Sequence, residues 1–158
     1  MFLAGGSTSG KSYTLFGGSW YHERGIVPRY LASLFNHNAT TPVVKGRLYQ
    51  LRPQVQFNMY LILKEDIVDL LDPPNVYKAS VENVFNSKAL GPMLLPLKTI
   101  TATNADILLY EVSTGITTAS VILANSNELL ASAHLVLSLK VFSPSLDTVQ
   151  YVDFIELA

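Results

Sequence analysis

A glycine-rich segment close to the start of the chain limits the fold more than any other feature of the sequence. Residues 5–12 read GGSTSGKS and match the phosphate-loop pattern G-x-x-x-x-G-K-S. The apolar residues 2–4 predict a buried strand before the loop, and residues 11–15 predict the start of a helix after it. The bare pattern also occurs by chance, but this strand and helix are the context that a phosphate loop requires. The predicted nucleotide-binding residues are Gly5, Gly6, Ser7, Thr8, Ser9, Gly10, Lys11, Ser12 and Tyr13.

Each part of this segment has a chemical role in binding phosphate. Gly5 and Gly10 allow the backbone to curl, so that several N–H groups point toward phosphate oxygens. Lys11 adds a full positive charge for the β- and γ-phosphates, and Ser12 offers a hydroxyl ligand to Mg²⁺. The predicted cofactor is therefore ATP or ADP with Mg²⁺.

The composition is that of one unusually apolar domain. Of the 158 residues, 49% are hydrophobic and 15% are charged, whereas about 25% are charged in an average domain. Strands buried on both faces of a parallel sheet explain part of this, and the loss of segments that cover the core would explain the rest.

Several classes of function are disfavoured by the same numbers. The net charge of −1 provides no basic field for nucleic acid, and the absence of cysteine rules out disulfides and zinc–thiolate sites. The first residues lack a basic leader region, and no uninterrupted apolar run approaches about 18 residues. We therefore expect no nucleic-acid partner, no signal peptide and no membrane span.

The hydropathy pattern alternates strands with helices. Helices are predicted at residues 29–35 and 105–112, the second with Asn104 as its N-cap and Gly115 at its end. Strands are predicted at residues 55–63, 94–101, 135–142 and 149–155, a short helical turn at 66–71, and loops at 37–42 and 75–93. This order predicts an α/β fold with a mixed sheet.

Five segments, in order along the chain, resemble the kinesin motor domain. Residues 5–17 resemble its G-Q-T-G-S-G-K-T-Y-T-M-x-G motif, and residues 25–29, GIVPR, resemble G-I-I-P-R. Residues 59–71 resemble the stretch that ends E-I-Y-N-E-x-I-x-D-L-L, although Leu61, Leu63 and Lys64 depart from it. Residues 127–134, NELLASAH, align with the first switch, N-E-x-S-S-R-S-H, and residues 152–158, VDFIELA, align with V-D-L-A-G-S-E of the second switch. The first two matches are specific and the last two are eroded.

This resemblance implies a fold, a partner and a location. The fold would be a partial phosphate-loop NTPase, a three-layer sandwich with a mixed, mainly parallel central sheet, in a single partial domain over residues 1–158. Relative to a kinesin, the chain begins inside the strand that leads into the phosphate loop and ends at the second switch. The implied partners are microtubules, together with a partner chain or flanking segments that complete the sheet, and the implied location is the cytoplasmic cytoskeleton.

The resemblance also implies that the groups needed for hydrolysis are degraded. In this alignment Ala133 replaces a serine that helps to hold Mg²⁺, while Asp153 is kept and reaches the metal through water, with Ser12 as the other metal-binding residue. Ser132 and Ala158 replace an arginine and a glutamate that pair across the γ-phosphate, and Glu156 replaces a glycine whose N–H meets that phosphate. The degenerate switch positions are Asn127, Ser132, Ala133, His134, Asp153, Glu156 and Ala158. We therefore expect bound nucleotide with hydrolysis and motility impaired or lost, and no intact catalytic residue.

Other interpretations remain open at this stage. The chain is alternatively a fragment of a longer active motor ATPase, a module that turns nucleotide over slowly once a partner chain completes it, or a purely structural scaffold that binds no nucleotide. A small phosphate-loop kinase is disfavoured because the sequence has no cluster of arginines for a lid.

Overall fold

The structure is a computed structural model that describes residues 1–6, 8–18, 23–36, 43–44, 47–48, 53–64, 66–73, 76–78, 97–124, 133–143 and 148–158. The predictions for Ser7, Asn127 and Ser132, the loop at 37–42 and most of the loop at 75–93 lie outside these residues. In chain order the described elements are β1 (Phe2–Leu3), α1 (Lys11–Phe16), α2 (Ile26–Asn36), β2 (Val43–Val44), β3 (Arg47–Leu48), β4 (Gln54–Leu63), β5 (Asp66–Asp69), β6 (Val76–Lys78), β7 (Ile100–Ala102), α3 (Ala105–Ala124), β8 (Ala133–Ser143) and β9 (Thr148–Glu156).

Seven of the described strands form one sheet with β4 near its centre. Their order is β1-β9-β8-β4-β5-β6, and β7 pairs with the same side of β4 as β5. β8 pairs with β4 along its whole length, whereas β7 takes the first half of the opposite side and β5 the second half. β2 and β3 form a separate two-stranded sheet.

The sheet is mixed, as the sequence predicts, but it is mainly antiparallel rather than mainly parallel. Among the described pairs only β1 and β9 run parallel, whereas β8 is antiparallel to both β4 and β9, and β5 is antiparallel to β4. Connections of only two and four residues join β4 to β5 and β8 to β9, and connections that short require antiparallel neighbours. The apolar run in β4 reflects burial of a central strand, not a parallel sheet.

One face of the sheet is covered by the three described helices. Alternate residues of β4 and β8, including Phe57, Met59 and Leu137, are less than 2% exposed on this face. They form one apolar cluster with residues of all three helices, such as Leu15, Leu31, Leu108 and Val112. The opposite face carries a smaller cluster of Tyr60, Ile67, Leu97 and Val136.

Helix α3 corrects the prediction that Gly115 ends a helix. Asn104 caps it as predicted, since its Oδ1 accepts a hydrogen bond from the N–H of Ile107 at 2.9 Å, but the helix continues through Gly115 to Ala124. Gly115 is buried, and a Cβ on it would lie 2.5 Å from Sδ of Met59. The glycine therefore lets the helix approach β4 closely, which compensates for its poor intrinsic helix propensity.

Helix α3 is also long and apolar enough to cross a membrane, with a mean hydropathy of 1.6. It contains no long uninterrupted apolar run because Asp106, Glu111 and several serine, threonine and glycine residues interrupt the pattern. Its buried residues, Leu108, Val112, Gly115 and Ala119, belong to the face that packs on the sheet. Only 22% of its most apolar stretch is buried, and Ile107, Tyr110 and Val121 on the rest of the helix are exposed.

Residues 66–69 form the strand β5, where the sequence predicts a helical turn. They pair with β4, with Tyr60 opposite Asp69. Asp69 is fully buried and its carboxylate accepts hydrogen bonds from the N–H groups of Leu71, Asp72 and Lys98 at 2.9, 3.3 and 2.7 Å. The β-branched residues Ile67 and Val68 favour a strand, and β4 offers them backbone and side-chain partners. Together these effects outweigh the local spacing that suggests a helix. Two further predictions are corrected. Residues 76–78 form the strand β6, where the sequence predicts a loop. Of the strand predicted at 94–101, the described residues form a strand only at Ile100–Ala102.

Candidate nucleotide site

The glycine-rich segment forms a turn between β1 and α1. Gly10 has the left-handed backbone angles φ 82° and ψ 16° directly before α1, a conformation that favours glycine. Within the turn, the N–H of Ser9 donates to the carbonyl of Gly6 at 3.2 Å. The strand, turn and helix predicted around this segment are all present. A purely extended segment, which would have ruled out a phosphate loop, is not what the structure shows.

The side chain of Lys11 folds back onto this turn. Its Nζ donates to the carbonyl oxygens of Gly5 and Gly6 at 2.6 and 3.0 Å. One of the three ammonium donors therefore remains for a ligand, and the other two become available if the ligand displaces the carbonyls.

Ser12 meets an acidic residue from the far end of the chain. Its hydroxyl donates to Oε1 of Glu156 at 2.6 Å. Glu156 is the last residue of β9 and pairs with Leu3 of β1, so the parallel pair of strands brings it to the start of the loop. A hydroxyl and a carboxylate are the hard oxygen ligands that Mg²⁺ prefers.

Asp153 lies elsewhere, three residues earlier on β9. It pairs with Ser138 of β8 and is absent from the residues that line the cavity at the loop. Its Oδ1 is buried without a hydrogen-bond partner. Burial raises the pKa of the nearby Tyr60 to about 12, against the smaller effect of a hydrogen bond with Ser138, and the negative charge of Asp153 raises it further.

A cavity of about 460 Å³ opens beside the loop. Residues 8–13 form one wall, and Glu156, Leu157 and Ala158 form a second. The remaining wall is built by β4, α3 and β8 and is mainly apolar, with Leu61, Ile116, Ala119, Leu123 and Leu135 beside the hydroxyl of Ser120. Tyr13, which is 57% exposed, also borders a second cavity of about 270 Å³ that includes Arg24 and Arg29.

The two predicted switch segments meet at this cavity. The N–H of Ala158 donates to Nδ1 of His134 at 2.9 Å, and Ala133 lines the cavity beside His134. Ala133 offers no side-chain oxygen there. Asn127 and Ser132, the other first-switch positions, lie outside the described residues.

The donor set fits a nucleotide with Mg²⁺. Among the described residues no group of three or more histidines and carboxylates could hold a metal by itself. Mg²⁺ does not need such a group, because in nucleotide sites it takes one or two protein oxygens and completes its shell with phosphates and water. Ser12 and Glu156 would hold the ion, and Lys11 with the backbone N–H groups of the loop would hold phosphate.

Sequence reasoning missed the pairing of Ser12 with Glu156. The alignment of the Val-Asp pair at 152–153 with the second switch drew attention to Asp153. The signal that favours Glu156 is the acid that directly follows the apolar pair Phe154-Ile155 at the end of the last strand. This signal identifies Glu156 as the partner of Ser12 only when the pairing of Leu3 with Glu156 between β1 and β9 is known.

Comparisons with known proteins agree with this geometry. The family model of the kinesin motor domain matches residues 1–158, and a search of curated proteins gave no match. Among 258 matching chains of solved structures is that of a fast kinesin, described with implications for its ATPase mechanism and its interactions with microtubules. The two chains share 22% sequence identity with a TM-score of 0.70 over 98% of this chain, which spans 42% of the kinesin chain. A glycine-rich turn between a strand and a helix, a mixed sheet and a family match along the whole chain thus lead to one conclusion: the protein belongs to the kinesin motor-domain family.

Proposed function

We propose that this chain binds ADP or ATP with Mg²⁺ at the phosphate loop and works as a kinesin-type module that associates with microtubules. The observation that carries the proposal is the contact of 2.6 Å between the Ser12 hydroxyl and the Glu156 carboxylate beside the loop. This contact places two oxygen ligands that suit Mg²⁺ beside the residues that would hold phosphate.

The acidic residue of the metal shell is then Glu156 and not Asp153. This assignment is supported by the cavity, which includes Glu156 and excludes Asp153. It shifts the alignment of the second switch by three residues, so that Phe154-Ile155-Glu156-Leu157-Ala158 stands opposite L-V-D-L-A. Two losses inferred from the sequence, a glycine replaced by Glu156 and a glutamate replaced by Ala158, then have no support.

Slow hydrolysis remains part of the proposal because of the first switch. Ala133 brings a methyl group to the cavity where kinesins have a serine hydroxyl, and Ser132 stands where they have an arginine. Removal of one oriented polar group from a transition state commonly lowers a rate by about 10²–10³. We expect nucleotide to bind well and to be hydrolysed slowly.

The proposal is tested by titrating a fluorescent ADP analogue with Mg²⁺ into the wild type and two variants. Lys11→Ala should weaken binding by at least about tenfold, since it removes the full charge that faces phosphate. Thr117→Ala, on the exposed face of α3 and outside the cavity, is the control and should bind like the wild type. Equal affinity in the wild type and Lys11→Ala would refute a working phosphate loop.

A second pair of variants distinguishes the two acids. Glu156→Gln should abolish the gain in affinity that Mg²⁺ gives, because an amide is a weak ligand for this ion, while Asp153→Asn should keep it. The reverse result would restore the alignment that places Asp153 in the metal shell. Binding is measured with Mg²⁺ and with excess chelator, so the readout does not depend on hydrolysis.

A structural scaffold is the second candidate, and one observation favours it. The Ser12 hydroxyl and two of the three ammonium donors of Lys11 are already bonded within the protein, on Glu156, Gly5 and Gly6. A loop closed in this way can serve as a stable connection without a ligand. Absence of nucleotide binding in the wild type, with the fold intact by circular dichroism, would support this candidate.

Microtubule association and a cytoskeletal location in the cytoplasm are proposed from the family membership. The chain spans 42% of the matched kinesin chain, so the motor activity of a longer product is a proposal of the same kind. Co-sedimentation with microtubules in the presence of ADP, of a non-hydrolysable ATP analogue and of no nucleotide tests the association. Failure to sediment in all three states would count against it.

A further inference from the structure

The cavity beside the phosphate loop contains two chemically different compartments in one continuous space. Its polar side consists of the loop residues 8–12 and Glu156. Its other side is an apolar wall that no step of nucleotide binding requires. The volume of about 460 Å³ lies within the range of about 300–1,000 Å³ that is typical of small-molecule pockets.

The apolar wall is formed by three elements that meet at the loop. Leu61 of β4 and Ala119 of α3 are almost fully buried, while Ile116, Leu123 and Leu135 are only partly buried. Partial burial of these three side chains leaves part of their hydrocarbon surface facing the cavity. A hydrocarbon group placed there would remove both surfaces from water, which is favourable by about 25 cal/mol per Å² of apolar area.

We propose that this cavity binds an amphipathic anion, a molecule with one phosphate or carboxylate head and an apolar tail. The head lies at the loop, where Lys11 and backbone N–H groups are available, and the tail lies along Leu61, Ile116, Ala119 and Leu135. The anion half of this inference rests on the proposed function of the loop, whereas the apolar half does not.

Glu156 should affect the binding of an amphipathic anion and the binding of nucleotide with Mg²⁺ in opposite ways. Its carboxylate lines the same cavity, so it repels an anionic head when no metal is present. It should therefore weaken the binding of an amphipathic anion and strengthen the binding of nucleotide with Mg²⁺. One substitution, Glu156→Gln, is expected to move the two affinities in opposite directions.

Two serines on α3 provide a matched pair of variants. Ser113 and Ser120 are both exposed and lie seven residues apart, hence on the same side of the helix. Ser120 lines the cavity and Ser113 does not. Phe at position 120 should therefore fill part of the apolar compartment, and Phe at position 113 should not.

The experiment uses decyl phosphate below its micelle concentration, with inorganic phosphate and decanol as the two halves of the probe. In isothermal titration of the wild type in excess chelator, decyl phosphate should bind at least about tenfold more tightly than either half. Shortening the tail to hexyl should weaken binding, a comparison that needs no variant. Affinity equal to that of inorganic phosphate would overturn the proposal.

The variants test the place of binding. Ser120→Phe should lower the affinity for decyl phosphate by about tenfold, Ser113→Phe should leave it unchanged, and Glu156→Gln should raise it by a few fold at low salt. Circular dichroism melts establish that each variant is folded. If Ser120→Phe and Ser113→Phe bind decyl phosphate equally, or if Glu156→Gln lowers its affinity, the proposal is wrong.

The titration with the ADP analogue separates this inference from the proposed function. Nucleotide binding without preference for decyl phosphate over phosphate refutes only the amphipathic ligand. Decyl phosphate that binds with the expected dependence on Ser120 and Glu156, without nucleotide binding, refutes the proposed function and keeps the amphipathic site.

Discussion

The two faces of the central sheet are built on opposite principles. The face covered by the helices carries the main apolar cluster, and Phe57, Met59 and Leu137 are fully buried there. The other face carries a polar row across three strands, where Asn58, Ser138 and Asp153 lie opposite one another. Asn58 and Asp153 keep buried side-chain atoms without hydrogen-bond partners. Apolar packing therefore stabilises both faces, but only the second face also buries polar atoms without partners, which weakens the fold there.

The largest expected effect is on the apolar face. Phe57→Ala should lower the free energy of unfolding by about 3–5 kcal/mol, because it removes a large buried side chain and leaves a cavity. The measurement is the urea midpoint, with Tyr110→Ala, on an exposed side chain of α3, as the control. A loss below about 1 kcal/mol would mean that the helices do not pack on β4 as described.

The next effect is a dependence on pH at the polar face. Tyr60 is 7% exposed, and burial raises its pKa to about 12 from the ordinary tyrosine value of 10.0. As the pH rises, the Tyr60 hydroxyl ionises in the unfolded chain before it ionises in the folded one. The free energy of unfolding is therefore unaffected by this group below pH 10 and falls between pH 10 and 12, by about 2–3 kcal/mol in total. Tyr60→Phe should remove this decrease in urea titrations at pH 9, 10 and 11. An identical slope in both proteins would show that other groups cause it.

A smaller effect, of opposite sign, is expected at Asn58. Its amide is fully buried and neither polar atom has a partner. Asn58→Leu should raise the free energy of unfolding by about 1–2 kcal/mol, because an unpaired buried polar group is removed. Asn58→Ala separates this gain from the loss of volume. If Leu at this position destabilises the protein, the amide has a partner such as a buried water and the second face is better satisfied than the geometry indicates.

The smallest effect concerns the contact between α3 and β4. Gly115→Ala should lower stability by about 1 kcal/mol or less, since the better helix propensity of alanine offsets the crowding of Met59. In a Met59→Ala background the same change should stabilise the protein by about 1 kcal/mol, because the crowding is gone. Equal effects in both backgrounds, measured as a double-mutant cycle, would show that the helix does not approach Met59.

What the sequence predicts correctly is mostly local. The strand and helix around the glycine-rich turn, the N-cap at Asn104 and the strands β4, β8 and β9 each depend on residues within about a dozen positions. The direction of the strands, the strand at residues 66–69 and the passage of α3 through Gly115 depend on partners that lie far away in the chain, so local patterns gave the wrong answer. The Ser12–Glu156 contact spans 144 positions, and only the register of β1 on β9 reveals it.

The junction of β1 with β9 has a consequence for how the site can be observed. The amino group of Met1 donates a hydrogen bond to the carbonyl oxygen of Asp153 at 2.6 Å. The N–H groups of Ile155 and Leu157 donate to the carbonyl oxygens of Met1 and Leu3, at 2.9 and 2.8 Å respectively. These hydrogen bonds connect the strand before the glycine-rich turn to the strand that carries Glu156. If a ligand binds at the turn, the amides of Ile155 and Leu157 should therefore take up deuterium more slowly than in the ligand-free protein. This measurement detects binding even when no reaction follows.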